Sequence, residues 1–249
     1  MDKNLLICIA HHYTENTFNL VCNLITNIQT TYTCKHKIVV HVNTDYCKEL
    51  LNNKFKDLEV IVSRQLAHPH HLTWQHRQYM KDNIHNYDAF MYVEDDMVVN
   101  YDQVCNHLDQ FNRLWPNYVP AFVRYEIKDG TNTKYSTDLL DKIIINRSDL
   151  RIVDGVPFVE HPIYNACWLC PKEVLINEIN KSSFISGSER EMAAFFVTLT
   201  LGKPCLIQLD KDSYKFSDLI LIHHSSNLYC NHQSAFGRHE IDTILSIQD

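Results

Sequence analysis

Glycine is scarce, with only 5 in 249 residues alongside 7 prolines. That leaves neither a Gly-rich phosphate loop nor a flexible Gly/Ser linker. A basic excess is also missing: Lys and Arg number 23 and Asp and Glu 30, for a formal net charge of −7. An acidic chain is a poor match for sequence-independent nucleic-acid binding, where a basic face supplies most of the affinity. The same balance argues against docking on an anionic bilayer. No apolar run approaches the roughly 18 residues of a membrane-spanning helix. The N-terminal stretch is too short for a signal peptide and has no cleavage region. The 9 cysteines are odd in number and irregular in spacing, so a complete disulfide set is excluded. They read as reduced and mostly buried, which points to a cytoplasmic protein. The C-x-x-C pair Cys167 and Cys170 lies in an apolar, strand-like run whose alternation sends the two thiols to opposite faces. A zinc or redox role is not expected of it.

What is present is a globular composition, 45% hydrophobic, 11% aromatic and 21% charged. At this length it specifies one large domain or two small ones. Residues 5–10 form a continuous apolar run of strand length, and Phe18, Val21, Cys22, Ile25 and Ile28 then recur at helical spacing, with Thr14 or Asn16 as the cap. Further strands are predicted at 37–43, 58–62 and 87–93, with helices at 46–53 and 74–86. Beyond residue 115 short strands follow at 121–125, 143–146, 163–169 and 219–223. A helix is predicted through Met192, Phe195, Phe196 and Leu199, and a closing helix at Ile241, Ile244 and Leu245. Alternating strands and helices predict an α/β fold, a mixed, mainly parallel sheet flanked by helices in a single domain. Such sheets hold ligands at the carboxyl ends of their strands. The loops at 10–14, 43–45 and 94–97 are therefore of interest.

Glu94-Asp95-Asp96 places three carboxylates directly after an apolar strand, and the next Lys or Arg is Arg113. A divalent cation relieves such repulsion most simply, and oxygen ligands suit Mn²⁺ or Mg²⁺ over Zn²⁺. The segment His68-Pro69-His70-His71 lacks compact Cys partners; with Pro69 in it, it is expected to be an extended loop leading to the ligand pocket.

A strand ending in Glu94-Asp95-Asp96, in a chain that opens with strand–helix–strand units, resembles the D-x-D motif of GT-A-fold glycosyltransferases. The match is E-x-D, with Glu94 in the first position. Together with 72–77 and 87–96, the pattern resembles small viral and microbial glycosyltransferases that use nucleotide sugars. The resemblance implies a GT-A-like, Rossmann-type domain, with residues 1–100 binding the nucleotide sugar and 101–249 the acceptor. It implies Asp96 as the main metal ligand, with Glu94 holding metal or donor ribose. A C-terminal histidine would be a further ligand, either His223 or His224, with His223 preferred.

Ala10, His11, His12, Tyr13 and Asn43, after the first two strands, are expected at the donor together with Asp95, Tyr13 stacking on the base. His76 and Arg77 are placed with them, Arg77 either pairing with diphosphate or forming a structural ion pair. Glu189 and Glu191 begin a helix after Ser188, and either would serve as general base. Glu191 is preferred because it adjoins an apolar run that would raise its pKa. Arg124, Glu126, Tyr164 and Trp168 offer the polar and aromatic groups of an acceptor site.

The predicted activity is metal-dependent transfer of a hexosyl or deoxyhexosyl group from a nucleoside-diphosphate sugar, a UDP-sugar foremost, to a glycan or other hydroxyl acceptor. Inversion with a glutamate base is preferred. A retaining enzyme, a nucleotidyltransferase or phosphohydrolase, and a sugar-nucleotide-binding domain without transfer are the alternatives.

Overall fold

The computed structural model describes residues 3–64, 66–164, 166–185, 202–231 and 236–248. The chain divides into two compact units, Met1–Tyr101 with Ala166–Leu201, and Asp102–Asn165 with Gly202–Asp249.

The first unit is built on β1 (Leu5–His11), β2 (His36–Val42), β3 (Glu59–Val62) and β4 (Ala89–Glu94). With the strand Cys167–Pro171 they form a five-stranded sheet in the order Cys167–Pro171, β4, β1, β2, β3. The pairs among β1 to β4 are parallel, whereas Cys167–Pro171 runs antiparallel to β4. Every residue of β1 and β4 is buried. Both faces at the sheet centre are thus covered, which is why these strands read as unbroken apolar runs without alternation. This is the mixed α/β, mainly parallel, helix-flanked sheet that the sequence predicts.

Three helices follow β1, β2 and β3 in turn: α1 (Glu15–Thr31), α2 (Asp45–Lys54) and α3 (Gln75–Asp82). Thr14 caps α1. Its hydroxyl accepts from the Thr17 amide at 3.1 Å while the Thr17 hydroxyl accepts from the Thr14 amide at 3.0 Å. Such caps contribute about 1 kcal/mol. Val21, Cys22, Leu24, Ile25 and Ile28 form the buried face of α1. Thr44 caps α2 through the Cys47 amide at 3.1 Å. Helix α3 stops at Asp82, earlier than expected, and the Asn83 side chain at its end donates to the Tyr79 carbonyl oxygen at 2.9 Å. The segment Pro69–Trp74 is a 3₁₀ helix rather than an extended loop. Proline at a first helical position suits its fixed φ and costs no hydrogen bond.

In the second unit the antiparallel strands Arg151–Val153, Val156–Glu160 and Cys205–Gln208 are joined by Val119–Pro120, parallel to the last of them. Val123–Ile127 lies between antiparallel Lys134–Ser136 and parallel Leu221–His224. Ile143–Asn146 pairs with Leu245–Gln248, so the expected closing helix is one turn, Ile241–Ile244, followed by a strand. Helix α4 (Tyr101–Leu114) buries Val104, Leu108, Phe111 and Leu114; it has no counterpart in the sequence-based expectations. All 9 cysteines are free thiols, and Cys167 and Cys170 are both buried. Among the described residues no helix is long and apolar enough to cross a membrane.

Candidate functional site

The strand order sets the place. From β1 the chain moves outward through β2 and β3, then crosses back to put β4 on the other side of β1. The crevice between the carboxyl ends of β1 and β4 is therefore a topological switch point, where open α/β sheets take ligands. In register, Ala10 pairs with Glu94 on one side and with His41 on the other. Paired residues of parallel strands face the same way, so Glu94, Ala10 and His41 form a row with the smallest side chain in the middle.

A cavity of about 410 Å³ is found here, within the range of small-molecule sites, about 300–1,000 Å³. Its walls are Ala10 and His12 from the end of β1, Thr14 and Thr17 from the start of α1, and Glu94 and Asp95 from the acidic turn; Pro69, Leu72 and Thr73 of the 3₁₀ helix complete it. Four of the residues expected at the donor thus line one cavity. Pro69 belongs to the segment expected to lead to the pocket, whereas Leu72, Thr73 and Thr17 were not expected there.

Glu94 is buried, and its amide donates to the Ala166 carbonyl oxygen at 3.1 Å. Asp95 accepts a hydrogen bond from Nδ1 of His11. Burial pushes the Asp95 carboxyl up to about 6, with Asp96 and Glu94 adding repulsion and His11 opposing. The His11 ring is fully buried, its centroid 6.3 Å from that of Tyr13 and 6.5 Å from that of Phe18. Neither His11 nor Asp96 lines the cavity. Among the described residues no three His, Cys, Asp or Glu side chains are grouped to hold a metal ion.

Asn43 ties the ends of β1 and β2 together. Its Oδ1 accepts from the Tyr13 amide at 2.9 Å, and its Nδ2 lies 3.2 Å from His12 Nε2. The Tyr46 ring, 58% exposed, meets Tyr13 edge-on at 5.5 Å. None of Tyr13, Tyr46 and Asn43 lines the cavity.

His76, Arg77 and Trp168 are core residues of the first unit. His76 stacks on Tyr92 at 4.1 Å and lies 5.5 Å from Trp168. Burial, reinforced by the Arg77 charge, holds the His76 pKa well below its ordinary value. Arg77 donates to the Phe184 carbonyl oxygen at 2.9 Å and lies over the Trp74 ring at 4.3 Å. Burial brings its pKa down to about 10. None of the three lines the cavity.

The second unit holds the other expected residues. Arg124 forms a buried, two-bond ion pair with Asp138 and lies over the Tyr164 ring at 4.9 Å. Glu126, fully buried, accepts from His224 Nδ1 at 2.6 Å and from the Cys230 amide at 2.7 Å. Burial would raise the Glu126 carboxyl, but these donors hold it below its ordinary value. His223 stacks on Tyr125 at 5.2 Å, with Nε2 3.2 Å from Asn227 Oδ1. The Ser226 hydroxyl lies 3.3 Å from Nδ1 and 3.1 Å from Nε2 of His224. Near-equal distances to both nitrogens place it over the ring, out of line with either, which is not the geometry of an activated nucleophile. Glu189 and Glu191, with the helix predicted after them, lie outside the described residues.

No family model and no curated protein matches the chain. Among solved structures it is similar to a CMP:2-keto-3-deoxy-manno-octonic acid synthetase complexed with CTP. The identity is 11% and the TM-score 0.46, over 81% of this chain and 88% of that one. It is also similar to a mannosyltransferase from Pyrobaculum calidifontis in complex with GDP-Man and Mn²⁺, at 10% identity and a TM-score of 0.49. That match takes in 90% of this chain but 57% of the mannosyltransferase.

Proposed function

We propose that this chain is a metal-dependent glycosyltransferase of GT-A-like fold, moving a sugar from a nucleoside-diphosphate sugar to a hydroxyl acceptor. The observation that carries the reading is the switch-point cavity, whose walls combine the acidic turn with the first turn of α1. A helix start favours phosphate through its amides and dipole. A carboxylate wall facing the same space would repel phosphate unless a cation lies between them.

The chemistry of the donor set fits that cation. Mg²⁺ is commonly held by one or two carboxylates, with water and substrate phosphate oxygens completing the shell. Glu94, which lines the cavity, and Asp96, in the same turn but outside its lining, would be those carboxylates. When bound, the ion offsets the charge that develops on the departing diphosphate.

In this reading Thr14 and Thr17 orient the phosphates, and Tyr13 with Tyr46 flanks the base, UDP first among the candidates. Glu191 takes the proton of the attacking hydroxyl, giving inversion. The pairing of His224 Nδ1 with Glu126 resembles the way a metal-bound histidine is held by a carboxylate through its other nitrogen.

The test is calorimetric titration of UDP-, GDP- and TDP-sugars, with and without Mn²⁺, into the wild type and Asp96→Ala. Binding of one donor that requires Mn²⁺ and is lost in the variant is the expected result. Failure of every donor in the presence of metal would remove the reading.

A further inference from the structure

We infer that His11 is a positioning residue of the acidic turn: its Nδ1–H holds the Asp95 carboxylate and so fixes the turn from which Glu94 and Asp96 take a divalent cation. The inference rests on the proposed function for the cation but on the structure for the contact.

His11 is the last residue of β1, and Ala10 before it is paired with Glu94, so the His11 ring arrives beside the residue that follows Glu94. There Nδ1 bonds Asp95. The rest of the ring's setting is aromatic, with Tyr13 and Phe18 around it. Its other nitrogen, Nε2, is buried and has no hydrogen-bond partner among the described residues. A phenyl ring would fill that space without stranding a polar atom, and stranding one is costly. The use of an imidazole at this position is therefore the bond through Nδ1. His11 does not line the cavity, so it acts on a ligand through Asp95 rather than by touching it.

Asp95 needs such a partner because it sits between two other carboxylates. Like charges in sequence push one another apart, and a turn is free to answer by rotating. On the strand side the turn is anchored by the Glu94 amide, bonded to the Ala166 carbonyl oxygen at 3.1 Å. His11 supplies a side-chain anchor one residue further on. With both in place, the carboxylates on either side of Asp95 keep a fixed separation before any ion arrives, and preorganisation of this kind is what an outer partner contributes to metal affinity.

Mn²⁺, alone and with UDP, would be titrated calorimetrically into the wild type, His11→Asn, His11→Phe, His11→Gln and Asp96→Ala, with each melting temperature recorded. Asn places an amide donor near the position of Nδ1, whereas Gln reaches toward Nε2 and Phe fills the ring volume without a donor. Mn²⁺ affinity is expected to stay within about threefold in His11→Asn and to fall about 10- to 100-fold in His11→Phe and His11→Gln, the usual cost of losing an outer partner. His11→Gln decides the matter should His11→Phe fail to fold. In an Asp95→Ala background the further loss from His11→Gln should vanish. Wild-type affinity in His11→Phe or His11→Gln, with binding lost in Asp96→Ala, would overturn the role of His11 and leave the proposed function standing. A wild type that takes up no Mn²⁺ under either condition would overturn both.

Discussion

Arg124 meets Asp138 through two parallel hydrogen bonds, Nε to Oδ2 at 2.8 Å and a terminal nitrogen to Oδ1, with the two side chains 7% and 2% exposed. A guanidinium so engaged is a structural element of the second unit. Arg124→Ala strands a buried carboxylate and is expected to cost about 3–5 kcal/mol, read as a lower urea midpoint. Removing Asp138 as well should recover part of that loss. Donor affinity of the folded fraction should not change. A variant with full stability and weakened acceptor binding would instead return Arg124 to the acceptor site.

His41 predicts the acid response of stability. Both its ring nitrogens are buried without a hydrogen-bond partner among the described residues, and burial lowers its pKa from 6.5 to about 4, Glu59 opposing. Between those values the unfolded chain binds the proton and the folded chain does not. Stability from this group is therefore constant above pH 6.5 and falls on acidification, by about 3 kcal/mol once pH is below the folded value. Urea midpoints followed from pH 7 to pH 4 should drop in the wild type and drop less in His41→Leu. Parallel curves would show that another group carries the effect.

Ala10 is the smallest side chain of the row Glu94–Ala10–His41, and it lines the cavity together with Glu94. Ala10→Leu puts three more carbons into the space a ligand needs. Sugar-nucleotide affinity should fall by about tenfold or more, equivalent to about 1.4 kcal/mol. The melting temperature should change little, because the added atoms enter a cavity and not the packed core. Unaltered affinity would mean that the ligand lies elsewhere.

Glu191→Gln separates transfer from binding. Loss of a general base costs about 10²- to 10⁴-fold in turnover, and donor affinity measured by calorimetry should be retained. If turnover is lost in Glu189→Gln but kept in Glu191→Gln, Glu189 is the base.

The strands of the first unit were legible because β1, β2 and β4 lie within a parallel sheet, where β1 and β4 are buried from end to end. An apolar run of strand length is then a nearly direct reading of burial. The carboxylates after β4 were legible because three acids directly follow that apolar run, and the strand order puts them at the switch point. The second unit was not legible in this way. Its strands are short, and its polar residues owe their environment to partners far along the chain. Glu126 meets His224 across 98 residues, a separation that no local pattern encodes. Arg124 and Glu126 looked like groups waiting for a sugar because their partners, Asp138 and His224, were not visible beside them. Arg77 fits the same pattern, its guanidinium engaged by the Phe184 carbonyl 107 residues away.

The antiparallel strand Cys167–Pro171 has a consequence for biosynthesis. It covers the outer edge of β4, yet 77 residues separate Glu94 from Pro171. At about 5–20 residues per second on a ribosome, roughly 4–15 s pass before that edge can be closed. Through that interval the nascent chain carries an open row of amides and carbonyls flanked by Phe90, Met91 and Tyr92, a template for pairing with other chains. A fragment ending near Tyr101 would hold the edge open permanently. The acid-bearing strand thus depends, for its protection from aggregation, on a segment made long after it.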